Sequence, residues 1–288
     1  MRDEHGAIRL RATVPTEASA IPALVRGLGG RVLSEMLRLG AVKSVYHGAS
    51  GMLTLKELVR CYVNLVDDST RVMLRIKALF RARAIPTPGT SVYRVSNRGA
   101  WLAKIESRGA RMRAASLLWQ LDSLLELRPK AKADMIAEAR RQPGWKVLRS
   151  IPFFGPVRVA LLLAIMATPF RFRTKRQLWP YAGLAVVTRS SADEEFADGK
   201  LRRRKRAPLT RGLNRNHNPA LKGVFKGAAN AAAAKPGPLK DFYDACVGRG
   251  VREELAKVTL ARKISSIALR LWKKGELWDP DKLTMQTT

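Results

Sequence analysis

The sequence predicts a mainly α fold with minor β, and three observations carry that expectation. Residues 52–84 hold a long heptad seam, residues 107–141 a second long helical pattern, and residues 214–274 a series of helical stretches separated by Pro and Gly breaks. The expected architecture has three parts: a small incomplete α/β piece at the N-terminus, a long antiparallel helical hairpin, and a compact helical C-terminal domain with a short strand pair near 185–205. The expected boundaries are 1–48, 49–143 and 144–280, with a tail at 281–288.

Residues 1–32 read as a strand followed by a short helix. Ile8, Leu10 and Val14 alternate imperfectly with Arg9, Arg11 and Thr13 at the two-residue period of a half-buried strand. Thr16-Glu17 opens an apolar run to Leu28 that Gly29-Gly30 closes. One strand and one helix cannot bury a core alone, so this segment is expected to be the edge of something larger.

The sharpest periodicity follows. Leu55, Leu58, Tyr62, Leu65, Ser69, Val72, Ile76 and Leu79 step by three and four residues, an a/d seam with one polar break at Ser69. Pro86, Pro88 and Gly89 end it. The second helix carries Met112, Leu117, Leu118, Leu121, Leu124 and Leu125. The two can fold back on each other, either as a hairpin within one subunit or as a coiled-coil arm that joins two copies into a homo-oligomer.

Beyond Gly144 the character changes. The apolar run Val159–Thr168 predicts a buried core helix, being too short to span a bilayer. Thr174 is placed to cap a helix to Tyr181 that Gly183 ends. Leu184–Thr188 reads as a short strand, 189–213 as a charged irregular loop, and 214–234, 239–249 and 252–274 as helices.

Charge bounds the function classes. The 288 residues include 54 Lys+Arg against 23 Asp+Glu, a net charge of +31. Such a fold repels itself unless a polyanion neutralises it, and a phosphate backbone does so with release of counterions. No apolar segment of membrane-spanning length and no signal-peptide core stands against that reading, so a cytoplasmic, nucleoid-associated protein with no membrane partner is expected. Cys61 and Cys246 give neither a disulfide framework nor zinc spacing, and His5, His47 and His217 are scattered. No metal site is expected from them.

Three features could carry chemistry. In Lys200-Leu201-Arg202-Arg203-Arg204-Lys205-Arg206 six of seven residues are basic, and Arg189, Arg211, Arg215, Lys222 and Lys226 flank the run. The arginine fork donates two hydrogen bonds to one anion, although a charge run can also be a solvated loop. Ile151–Val159 (IPFFGPVRV) has the outline of a helix-hairpin-helix turn, or of a plain packing corner; Phe153 stands where such a hairpin usually has glycine. Ser190-Ser191 lies between the expected strand and the basic run. A serine attacking a phosphodiester needs its proton removed and cations around the phosphorane. The basic run can supply the cations; no adjacent His can take the proton.

These pieces occur in an ordered set: WKVLRSIPFFGP (145–156), FRFRTKRQLWPYAGL (170–184), Ser190-Ser191, TRGLN (210–214, ending at Asn214) and ARKISSIALRLW (261–272). Together they resemble the C-terminal domain of the DEDD-type, bridge-RNA-guided insertion-sequence transposases, the group that includes the pilin-gene invertase. The resemblance implies a helical arm over 33–144 and an inner part of a RuvC-like domain over 1–32, the remnant of that domain. It implies DNA and a guide RNA as partners, and strand cleavage and transfer through a serine, Ser191 first and Ser190 second. The family motif there is Ser-Ser-Gly-Gly or Ser-Gly-Gly, whereas Ala192-Asp193 stand here. The family also uses Mg²⁺ held by four acidic residues. Asp3, Glu4, Glu17 and Glu35 do not fall at those motif positions, and Gly30-Arg31-Val32 runs almost directly into the stretch after the acidic motif. The resemblance therefore implies a RuvC-like part that begins late and carries an internal deletion, missing Mg²⁺ ligands, and an impaired transposase. A non-catalytic nucleic-acid-binding protein is the alternative. A helix-hairpin-helix repair enzyme would need a Lys or Asp after the hairpin, and none matches.

Overall fold

Helix α1 (Ser50–Arg81) ends where Ala84 turns into the left-handed region at φ 57° and Pro86 follows. Two 3-10 turns (Ser91–Tyr93, Val95–Asn97) and the short helix α2 (Arg98–Ala103) then reverse the chain into α3 (Arg108–Arg140). The computed structural model describes residues 50–188, 194–197, 200–203 and 210–281. All lie in the unit Gly48–Thr288; the preceding unit, Met1–His47, and the strand and helix expected in it lie outside the described residues.

Helices α1 and α3 pack against each other along their length, and the clusters they share fix the direction. The C-terminal half of α1 (Val72, Ile76, Leu79, Phe80) meets the N-terminal half of α3 (Ala110, Ala114, Leu118, Leu121), while Leu55 and Val59 share a core with Met135 and Ala139. The pair is antiparallel, and the heptad seam is its buried face. Each fully buried Leu or Ile contributes roughly 1.5–3 kcal/mol of transfer free energy. Ser69, the polar break, is buried too and donates to the Leu65 carbonyl at 2.5 Å, which satisfies its hydroxyl inside the helix. The tip is closed by Arg98, whose guanidinium holds both oxygens of Asp122 at 2.5 Å and the Tyr93 carbonyl at 3.1 Å.

The base of this arm runs into the C-terminal core without a break: Leu55, Val59, Met135 and Ala139 belong to the same buried cluster as the helices that follow. These are α4 (Trp145–Ser150), α5 (Pro156–Met166), α6 (Lys175–Tyr181), α7 (Pro219–Ala233), α8 (Pro238–Gly248) and α9 (Glu253–Lys274). Helix α5 is the expected apolar core helix, with Val159, Ala160, Leu162, Leu163, Ala164 and Met166 buried. Among the described residues no helix is long and apolar enough to cross a membrane. The small residues Ala228, Ala229 and Ala232 on α7, and Ala261 and Ala268 on α9, form the buried faces of two helices that pack together. Acidic residues open α9 and Lys273-Lys274 close it, matching its dipole.

Two expectations are corrected. The strand pair expected near 185–205 is present, and the stretch 189–213, otherwise expected as an irregular loop, contributes a further strand at its end. β1 (Val186–Thr188) pairs antiparallel with β4 (Thr210–Leu213), and β2 (Glu194–Ala197) with β3 (Lys200–Arg203). The β2–β3 register sets Glu194 opposite Arg203 and Glu195 opposite Arg202. The helix expected from 214 begins at Pro219, because Asn218 is its N-cap and accepts from the Leu221 amide at 2.9 Å. Helix α6 begins after Thr174 as expected, yet the Thr174 hydroxyl makes no capping bond; the Gln177 side chain accepts from the Arg173 amide at 2.7 Å instead.

Candidate nucleic-acid interface

Helix α9 buries one face through Leu260, Ala261, Ile264, Ala268 and Leu269. The helical period therefore turns Thr259, Lys263, Ser266, Arg270 and Lys273-Lys274 toward one open stripe. Opposite that stripe stand α6 and the turn before it, which contribute Arg173, Lys175 and Trp179, and Phe242 of α8 adds a second ring. Between these walls lies a cavity of about 670 Å³. Seven Lys and Arg line it and, among the described residues, no Asp or Glu does.

The cations are placed by specific contacts. Arg262 donates through Nε to the Leu184 carbonyl at 2.5 Å, and its guanidinium lies 5.9 Å from the centre of the Trp179 ring. Burial holds that guanidinium below its usual range. Lys175 reaches 5.9 Å from the Trp179 ring, and Lys263 5.5 Å from the Phe242 ring. The Lys263 ammonium is pushed below the usual lysine range, first by burial and then by the charges of Lys175 and Arg270. Lys273 donates to the Arg173 carbonyl at 3.0 Å, joining the two walls. The Trp179 indole N–H is buried and has no hydrogen-bond partner.

The residues picked from sequence fall elsewhere or outside the described part. Arg189, Ser190, Ser191, Arg204, Lys205 and Arg206 lie outside the described residues. Lys200, Arg202 and Arg203 sit on β3, and Arg211 on β4. Asn214 follows β4, and its amide is occupied within the fold: Nδ2 donates to the Pro180 and Asn216 carbonyls at 3.1 and 2.7 Å, and Oδ1 accepts from the Asn216 amide at 3.1 Å. Arg215 is exposed in the same turn, and Lys222 is half-buried on α7. The cavity was not singled out from the sequence. Its signal was there, as cations and hydroxyls at 259, 263, 266, 270 and 273–274, one stripe of a helix whose other face is apolar.

The turn between α4 and α5 bears on the same question. Phe153 adopts φ 66°, the left-handed region that favours glycine. Its carbonyl accepts from Arg158 at 2.7 Å, the Phe154 carbonyl accepts from Arg149, and the Phe154 ring is buried 6.3 Å from that of Phe225. Ring burial and two guanidinium bonds hold the strained turn together.

Residues 145–244 match the model of the transposase IS116/IS110/IS902 family, a segment that opens at the first residue of α4 and runs into α8. The chain is also 28% identical over 142 residues to the insertion element IS116 uncharacterized 44.8 kDa protein of Streptomyces clavuligerus. That similarity covers 49% of this chain and 32% of the relative, so the chain spans about a third of the curated relative it matches. Residues 145–244 are thus similar to an insertion-sequence transposase family, and the relative is itself an insertion-element protein. Helix α9, one wall of the cavity, lies beyond the segment matched by the family model.

Proposed function

We propose that this chain is a DNA-binding protein of insertion-sequence transposase type whose binding is retained and whose strand cleavage is impaired. The observation that carries the reading is the match of 145–244 to a transposase family, on a helical unit whose described cations outnumber its carboxylates. Lys200, Arg202, Arg203, Arg211, Arg215 and Lys222, with Arg189 and Arg204–Arg206, are proposed as the phosphate-contacting set, and a guide RNA as a second polyanionic partner.

Ser191, or Ser190 beside it, is the residue proposed to join DNA. Its hydroxyl oxygen would attack a phosphodiester phosphorus and the bond to one deoxyribose oxygen would break. The deoxyribose hydroxyl released takes up the proton that serine loses, and nearby arginines stabilise the charge of the phosphorane. Transfer is the reverse attack by another strand's hydroxyl. Among the described residues no three His, Cys, Asp or Glu converge to hold a metal, and no step is routed through the Mg²⁺ that the resemblance implies. Ala192-Asp193, which stand where the family motif has glycines, favour a second reading, a non-catalytic nucleic-acid-binding protein that uses the basic strands and the helical arm.

The test is to mix the protein with element-end DNA, Mg²⁺ and guide RNA while measuring binding across salt. Binding should fall steeply with salt, and replacing Arg202–Arg206 by glutamine should weaken it and flatten the salt slope. A serine-linked DNA adduct lost in Ser191→Ala would assign the nucleophile and show that cleavage survives. No adduct in either protein, with binding intact, selects the non-catalytic reading. Binding unchanged by neutralising the basic run would overturn both.

A further inference from the structure

We propose that the cavity between α6 and α9 seats one unpaired nucleotide of a nucleic-acid strand, its phosphate among Arg270, Lys273 and Lys274 and its base against Trp179 and Phe242. This rests on the reading of the chain as a nucleic-acid-binding protein and adds a specific site to it. Several features of the cavity lead to the same ligand. Its lining is cationic and, among the described residues, without carboxylates, so it selects an anion. Its volume, about 670 Å³, lies within the range of pockets that enclose one small ligand.

The aromatic walls make the distinction between a strand and a duplex. A duplex offers phosphates on its outside and keeps its bases stacked, so it can use the cations but not the rings. An unpaired nucleotide uses both, because every base has a face that stacks on an aromatic ring or on a guanidinium. The hydroxyls fit as well. Thr259 donates to the Leu255 carbonyl at 2.9 Å and Ser266 to the Arg262 carbonyl at 2.8 Å. Each hydroxyl proton is therefore spent within the helix, which leaves an oxygen lone pair as acceptor for a base N–H or a ribose hydroxyl. A phosphate beside Arg270 would also offset the charge with which Arg270 adds to the effect of burial in lowering the proton affinity of Lys263.

The experiment is fluorescence anisotropy on the full chain with four labelled probes: dT12, rU12, an abasic 12-mer with the same number of phosphates, and a 12-base-pair duplex. Wild type should bind a base-bearing strand about tenfold tighter than the abasic strand, the scale of stacking one base. The tighter of dT12 and rU12 identifies the strand. Trp179→Leu should remove most of that tenfold preference while changing abasic-strand binding less than about twofold. Phe242→Leu, at the second ring of the lining, gives the same readout should Trp179→Leu fail to fold by circular dichroism. Replacing Arg270 and Lys274 by glutamine should weaken every probe. Equal binding of dT12 and abasic strand by wild type, or a preference that survives in the folded Trp179→Leu and Phe242→Leu proteins, overturns the pocket. Salt-dependent duplex binding that persists in that case leaves the nucleic-acid reading standing, whereas absence of binding to all four probes removes both.

Discussion

Replacing Asp122 by alanine should loosen the tip of the helical arm by a definite amount. The Arg98 side chain is 14% exposed, and its two terminal nitrogens hold the two Asp122 oxygens at 2.5 Å. Without the carboxylate the guanidinium keeps only the Tyr93 carbonyl, and its Nε is already buried without a partner. Hydrogen bonds to charged groups contribute about 1.5–3 kcal/mol each, and an uncompensated buried charge costs more. The Asp122 side chain is 42% exposed, so water screens part of that. A loss of about 2 kcal/mol follows, or roughly 4–8 °C in Tm for a unit of this size. The Arg98 hydrogen bond, and then its charge, holds the Asp122 carboxyl below the usual carboxylate range. Its contribution is therefore complete above the ordinary pKa of about 3.9 and disappears as pH falls through the lower folded value. Urea denaturation of wild type and Asp122→Ala should differ by a constant amount from about pH 5 to 8 and converge in acid. A difference below about 0.5 kcal/mol at pH 7, or one that persists unchanged in acid, would refute the reasoning.

Three other substitutions probe the backbone. At Gly144 an added Cβ would lie 2.2 Å from Nε1 of Trp272, so Gly144→Ala should cost about 1–3 kcal/mol in urea denaturation, as overpacking does. The added Trp272→Leu substitution should recover part of it, and additive losses would show that the clash is not the cause. Pro129 is exposed inside α3, where it removes one backbone hydrogen bond. Pro129→Ala should raise stability by about 2 kcal/mol, the helix-interior penalty of about 3 less the entropy returned to the unfolded chain; no rise in Tm would contradict this. At Phe153, where φ is 66°, both Phe153→Ala and Phe153→Gly lose the ring, but only glycine sheds the strain. The glycine variant should be the more stable of the two by about 1 kcal/mol by urea melt, and the reverse order would mean that the turn is not strained.

The arm was legible because its signal is local and repeated. One apolar stripe over Leu55–Leu79 can be buried in only one way, and Pro86 and Gly89 say where the chain turns. A strand pair was legible near 185–205, but neither its bounds nor its register, although Asp198-Gly199, a frequent hairpin dipeptide, stands between β2 and β3. Strands of four residues with a Glu-Glu start and a Lys-Leu-Arg-Arg return carry no apolar alternation, and their charge argued for solvent. Their register, Glu194 opposite Arg203 and Glu195 opposite Arg202, is a non-local match that no window along the chain displays. The cavity escaped for a similar reason. FRFRTKRQLWPYAGL and ARKISSIALRLW are about ninety residues apart, and only the fold brings Lys175 and Trp179 to face Arg262 and Lys263.

The net charge of +31 also divides into two kinds of work once the arginines are located. Arg83, Arg111, Arg149, Arg158, Arg171 and Arg262 donate to the carbonyls of Leu79, Ile105, Phe154, Phe153, Ile165 and Leu184. Those carbonyls lie in the last turns of helices or in the connections just after them. There the intrahelical donors have run out, and the carbonyls take a side-chain donor in their place. In these contacts the guanidinium closes local structure, and the cation is only partly available to a ligand. Lys175 and Arg270 make no such carbonyl contact and line a cavity with aromatic walls, while Lys274, also in its lining, pairs with Glu276 at 3.4 Å. The salt dependence of binding counts phosphates actually contacted, at about 0.7 per phosphate for a single strand and 0.9 for a duplex. A measured slope is thus a count of the second kind of cation alone, and it should fall far short of the formal charge.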